Sequence, residues 1–216
     1  PGFRMPIDLP PVTRALLISN VGIFLLQQLF PDALLIHFAL WPLGSELLPD
    51  GTTLGFQIWQ LLSYGFLHGG LTHLLFNMLA LWMFGGAIER LFGSRPFAIY
   101  YISCVIGAAI AQLIVIEFFS GGFYPTLGAS GGVFGLLLAF GMMFPHQRIM
   151  LLFPPIPMPA WVFVTGYGVI ELYLGVTGSQ AGVAHFAHLG GMVAGFAIIQ
   201  YWRGRLPIKP RRILMR

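Results

Sequence analysis

Six apolar stretches of this chain read as membrane spans, and almost no charge interrupts them. A span needs about 20 apolar residues, with a working range of roughly 17–25. On that basis the spans run over about 13–31, 72–91, 96–118, 129–144, 158–175 and 186–202. Charged residues make up 8% of the chain and hydrophobic ones 57%, against about 25% charged in a soluble domain. Such a surface cannot face water all round. The expected fold is all-α, one polytopic membrane domain over 1–216, and its 28 glycines suit closely packed helices.

The connections are uneven. An insert over 32–71 separates the first two spans, too apolar and too rich in Trp and Phe for a simple solvated loop. It is expected to fold partly into the interface, with Trp41 and Trp59 at headgroup level. Span 4 ends at Pro145, and the four prolines of "FPPIPMP" leave span 5 short. The lone Cys104 excludes an intramolecular disulfide and reads as packing. The first apolar run lacks the basic n-region and small-residue site of a cleavable signal.

Charge gives the orientation. Arg4 and Arg14 precede span 1, Arg90 and Arg95 follow span 2, and Arg148 follows span 4. Arg203, Arg205, Lys209, Arg211, Arg212 and Arg216 form a basic tail, 203–216. With six spans all 11 basic residues fall on one side, opposite Asp32, Glu46, Asp50 and Glu117. Basic loops stay inside, so both termini are expected in the cytoplasm. The net charge of +4 then reports topology and contact with anionic lipid, not nucleic-acid binding.

Polar residues within spans are functional candidates by default. Here they are His73 and Asn77 in "HLLFN", Ser130 in "GASGG", and His185 and His188 in "AHFAHLGG". His73 and Asn77, four apart, share a helix face. Depth is measured from Arg90, Pro145 and Arg203 at ~1.5 Å per residue. Ser130 and His188 both come out about 22 Å deep, with His73 at about 25 Å and Asn77 at about 20 Å. In a core about 30 Å thick these four form one layer. Gly131 and Gly135 in span 4, and Gly191 and Gly195 in span 6, give small-residue faces for close approach. If those faces pack, Ser130 meets His188. A serine hydroxyl is a weak nucleophile until a base takes its proton, and His73 and Asn77 could donate to a developing oxyanion.

Taken singly, each residue has a plainer role. A serine among glycines packs or bonds back to its own helix, and an intramembrane histidine or asparagine bridges helices. "GxSxG" is no hydrolase elbow here, for no strand–turn–helix context surrounds it. His185 lacks glycine partners at +3 and +7 and reads as loop or site rim. His68 reads as a structural hydrogen-bonder in the insert. "HLLFN" lacks the glutamate of HExxH, so no metal is expected. No cofactor is indicated either.

Together these motifs resemble the rhomboid intramembrane serine proteases, over about Trp59 to Gly195. "HLLFN" with "GGAIERLFG" is similar to that family's second span, "GASGGVFG" to its nucleophile motif, and "AHLGGMVAG" to its sixth span. The resemblance implies a six-helix rhomboid fold with a partly embedded first loop. It implies Ser130 as nucleophile, His188 as general base, and an oxyanion hole from His73, Asn77 and the Ser130 backbone N–H. Gly128, Gly191 and Gly195 would support the site. Members often carry Trp-Arg where this chain has Trp59-Gln60, and Phe134 stands where a tyrosine often packs on the histidine. Glu117 and Glu171 lie near the outer ends of their spans and match no catalytic position. A dyad is therefore expected, with His188 oriented by packing on Phe134.

The expected function is a serine endopeptidase cutting single-span membrane proteins near helix-weakening Gly or Pro, in a bilayer expected to be a bacterial inner membrane. Span 5 and the loop 176–185 are the expected mobile elements for substrate entry. Nothing in the residues specifies an oligomeric state. Two alternatives stand beside it: a non-catalytic rhomboid-like binder, and a small transporter or proton channel relaying through His73 and His188. The binder has no use for both Ser130 and His188. A relay needs polar residues continuing below Asn77, where spans 2, 4 and 6 offer only "MLALWMF", "VFGLLLAFGMMF" and "MVAGFAII".

Overall fold

The computed structural model describes residues 8–49, 51, 53–150, 155–178, 184–208 and 210. Arg4, Asp50, Lys209, Arg211, Arg212 and Arg216, the "FP" of the proline run and residues 179–183 of the loop 176–185 therefore lie outside the described residues. The chain is mostly helical. Helices α1 (Pro11–Leu29), α2 (Pro31–Phe38) and α3 (Gln60–Ser63) lead to α4 (Leu71–Ala80). A π turn, Leu81–Gly85, continues α4 into α5 (Gly86–Phe92). Helix α6 (Ser94–Val115) ends in a second π turn, Ile116–Ser120. Then come α7 (Ser130–Met143), α8 (Ala160–Thr177) and α9 (His185–Trp202). A 3-10 turn, Tyr64–Phe66, follows α3, and two short antiparallel strand pairs complete the described elements, β1 (Ser45–Leu47) with β2 (Thr53–Gly55) and β3 (Arg148–Met150) with β4 (Pro157–Pro159).

Four helical stretches are long and apolar enough to cross a membrane: Pro11–Leu29, Leu71–Phe92, Ser94–Ser120 and Ala160–Thr177. Helix α7 is apolar but only 14 residues long, and α9 has 18 residues with two histidines in its first turn. The first helix begins and ends two residues earlier than the apolar run predicts. Pro11 opens the helix at its first position, and Pro31 ends it, since Pro31 opens α2 and cannot continue α1.

Pro10 gives α1 no side-chain cap. The buried carboxylate of Glu89 replaces it from α5. It accepts from the backbone N–H groups of Val12 (3.0 Å) and Thr13 (2.7 Å), and from the hydroxyls of Thr13 (2.8 Å) and Ser94 (2.7 Å). One side chain thus ties α1 to the α5–α6 joint. Glu89→Ala leaves two helix-terminal N–H groups without their acceptor, and should lower stability by about 2–4 kcal/mol. Thermal unfolding in detergent measures this, and an unchanged midpoint would remove Glu89 as the cap.

Helices α6, α7 and α9 pack through small residues. The backbone of Gly191 on α9 lies directly against the Gly131 carbonyl on α7, so a Cβ there would collide with backbone. Gly131 also faces Ala108 of α6. The small-residue spacing pairs Gly195 with the fourth span, but Gly195 faces the Tyr100 hydroxyl and Cys104 on α6. Tyr100 in turn donates to the Gly135 carbonyl (2.7 Å). The seam therefore joins three helices, not two.

The described residues of the insert are folded rather than loose. Gln60 is fully buried, and its Oε1 accepts from the N–H of Trp41 (3.2 Å) and of Gln57 (3.1 Å). A neutral acceptor thus holds the loop where an arginine is often found. Trp41 is buried, stacks on Phe123 at 5.5 Å and donates to the carbonyls of Leu35 and Ile36, whereas Trp59 is half exposed and donates to the His37 carbonyl. Leu40 and Thr126 exchange two backbone hydrogen bonds of 2.9 Å, clamping the insert to the segment that leads into α7.

His68 departs from expectation. Neither ring nitrogen has a partner among the described residues. Gln27 instead holds its backbone, donating to the carbonyl (2.9 Å) and accepting from the N–H (3.0 Å). Burial first, then the neighbouring His73 ring, pulls the imidazole pKa down to about 4. His68 is thus a neutral packing ring, edge-on to His73 at 5.2 Å.

Candidate active site

Ser130 is the first residue of α7, so its N–H belongs to the unsatisfied donors of a helix N-terminus. The approach to it turns at Gly128, whose φ of +132° favours glycine. The Gly128 N–H donates to the Tyr64 carbonyl (3.0 Å), fixing the turn against the insert. A Cβ at Gly128 would lie 2.7 Å from Cε1 of His73. Glycine is what lets the His73 ring close on this turn.

His188 lies in the first turn of α9, and its Nε2 is 2.8 Å from the Ser130 Oγ. Its ring lies flat on Phe134, with centroids 4.2 Å apart and planes 6° apart. Phe134 follows Ser130 by four residues, so one helix carries both the hydroxyl and the surface that holds the imidazole. On α4, the Asn77 side-chain amide donates to the His73 carbonyl (2.9 Å), which commits one of its two N–H groups. The Nδ1 of His73 accepts from the Gly69 N–H (3.3 Å), which places its proton on Nε2 and makes that nitrogen a donor.

Two residues set aside on sequence grounds belong here. Glu171 of α8 is buried, and its Oε2 is 2.8 Å from Nδ1 of His188. The expectation that no acid reaches the histidine is therefore corrected: a carboxylate lies on the far side of its ring from Ser130. The same oxygen is 2.7 Å from Nδ1 of His185, which is buried and not at a rim. Glu117, on the exposed π turn after α6, remains outside the cluster.

Glu171, His185 and His188 offer ligand atoms within 4.8 Å of one another, a donor set suited to zinc. The two O···N separations are hydrogen-bond lengths, shorter than the about 3.3 Å edge of a zinc tetrahedron. The cluster is built as a carboxylate accepting two N–H bonds.

The family model described as the Rhomboid domain matches residues 55–205. "Rhomboid protein 1, mitochondrial" of Saccharomyces cerevisiae is 33% identical over 196 residues, covering 84% of this chain and 50% of that protein. "Rhomboid protease GluP" of Bacillus subtilis is 35% identical over 137 residues, 63% of this chain and 24% of its own length. "Rhomboid protease GlpG" of Klebsiella pneumoniae is 27% identical over 197 residues, 87% of this chain and 62% of the relative. The chain thus spans less than two thirds of each of these relatives. They divide between bacterial and mitochondrial proteins, which leaves a bacterial inner membrane without support. With its long apolar helices and the match over 55–205, the chain belongs to the rhomboid family of multi-pass membrane proteins.

Proposed function

We propose that this chain is an intramembrane serine endopeptidase with Ser130 as nucleophile and His188 as general base. The observation that carries the reading is the 2.8 Å contact between Ser130 Oγ and His188 Nε2. Two of its relatives are named as rhomboid proteases, which fits the same reading.

The Ser130 hydroxyl donates to Nε2 and attacks the scissile carbonyl as its proton passes to His188. The oxyanion that forms meets the Ser130 N–H, the Nε2–H of His73 and the remaining N–H of Asn77. His188 then returns the proton to the leaving amine, and the C–N bond breaks. Water, deprotonated by His188, releases the acyl group from Ser130. The six-span arrangement with cytoplasmic termini supplies the setting, with the 32–71 insert half embedded and the site opening outward to water. Substrates are single-span proteins whose backbone is freed near Gly or Pro, because a helical peptide bond is already hydrogen-bonded.

A fluorophosphonate tests this directly. It should modify the purified protein at Ser130 alone, and Ser130→Ala should remain unmodified. A folded protein that neither reacts nor cuts any single-span substrate would instead be a binder.

A further inference from the structure

We infer that Glu171 is a positioning residue for His188, held in place by His185, so that the site is a four-member chain rather than a dyad. The inference rests on the reading of Ser130 and His188 given above. The observations are the single oxygen shared by two imidazoles, at 2.7 and 2.8 Å, and the burial of all three side chains.

A carboxylate only accepts, so both histidines must carry a proton on Nδ1 to make these bonds. For His188 this leaves the Nε2 lone pair facing the Ser130 hydroxyl. The bond made by one imidazole nitrogen sets the role of the other, and here that bond selects the tautomer that can act as a base. When His188 takes the serine proton, the resulting imidazolium stands 2.8 Å from the Glu171 oxygen. Stacking on Phe134 sets the plane of the ring but cannot choose which nitrogen is protonated.

His185 explains how a glutamate can be accurate enough for this. A glutamate side chain has several rotatable bonds, and one hydrogen bond leaves it room to swing. Nδ1–H of His185 fixes the same Oε2 from a second direction. His185 and His188 stand three residues apart on one face of the first turn of α9. The carboxylate therefore also lies at a helix N-terminus, where negative charge is favoured.

The experiment uses detergent-solubilised protein labelled with 15N-histidine, together with rates of fluorophosphonate modification and substrate cleavage. Two histidines should show Nδ1–H protons shifted far downfield by a carboxylate partner, and both signals should vanish in Glu171→Gln. In that variant kcat and the modification rate should fall by roughly 10²–10⁴-fold with KM unchanged. Glu171→Asp should recover part of the rate, and His185→Gln should lose about tenfold. A folded Glu171→Gln that modifies at the full rate would overturn the inference while leaving the protease intact. So would a His188 proton found on Nε2 in the unaltered protein, a readout that no unfolded variant can obscure. If the unaltered protein shows both Nδ1–H signals yet never reacts, the protease reading fails and the tautomer assignment stands.

Discussion

His188→Ala lowers cleavage of a single-span substrate by about 10⁴–10⁶-fold, the scale seen when a serine hydrolase loses its base. Ser130 keeps its place at the start of α7, but its hydroxyl stays protonated and is a poor nucleophile at neutral pH. The loss should appear in kcat, because His188 meets the hydroxyl rather than the bound segment. Deleting the ring also strips Phe134 of its stacked partner, so the variant needs its thermal midpoint measured beside its rate. A folded variant retaining a tenth of the activity would end the case for His188 as the base.

Gly191→Ala reaches the same chemistry through packing. The added methyl would collide with the Gly131 carbonyl, which is backbone and cannot turn aside. Helices α7 and α9 must separate, and these two carry Ser130 and His188. Overpacking costs typically 1–3 kcal/mol, and a shift of about 1 Å at a reacting pair can cost roughly 10²-fold in rate. The expected result is a lower thermal midpoint and a fall in kcat of about 10²-fold. Gly22→Ala on α1 is the control, since a Cβ there meets nothing within 4 Å. Equal activity in the two variants would show that the seam does not set the site.

Much of the candidate site is legible because a membrane makes depth a one-dimensional quantity. Spacing alone put Ser130 and His188 in one layer, and they lie 2.8 Å apart. The same count places Glu171 about 20 Å above residue 158, level with Asn77. Its place near the outer end of its span sets it apart from the site only in appearance, for Ser130 lies toward that surface too. What depth cannot give is rotation about the helix axis. That is why His185 read as rim, and why Gly195 was paired with α7 rather than with Tyr100. Glu89 left a different kind of gap. Its role is to cap a helix 76 positions earlier in the chain, and no local pattern encodes such a partner.

The shortness of α7 has a consequence for where a bond can be cut. Fourteen residues cover about 21 Å, some 9 Å less than a hydrocarbon core about 30 Å thick. The segment 121–129 that leads into α7 is non-helical chain, tied down at Leu40 and at Tyr64. The Ser130 hydroxyl is thereby held at the head of α7, with solid helix beneath it. In the proposed reaction the protein therefore works as a depth gauge. It selects a peptide bond by how far that bond lies from the edge of the bilayer, roughly three residues of extended chain, before side-chain identity is consulted at all.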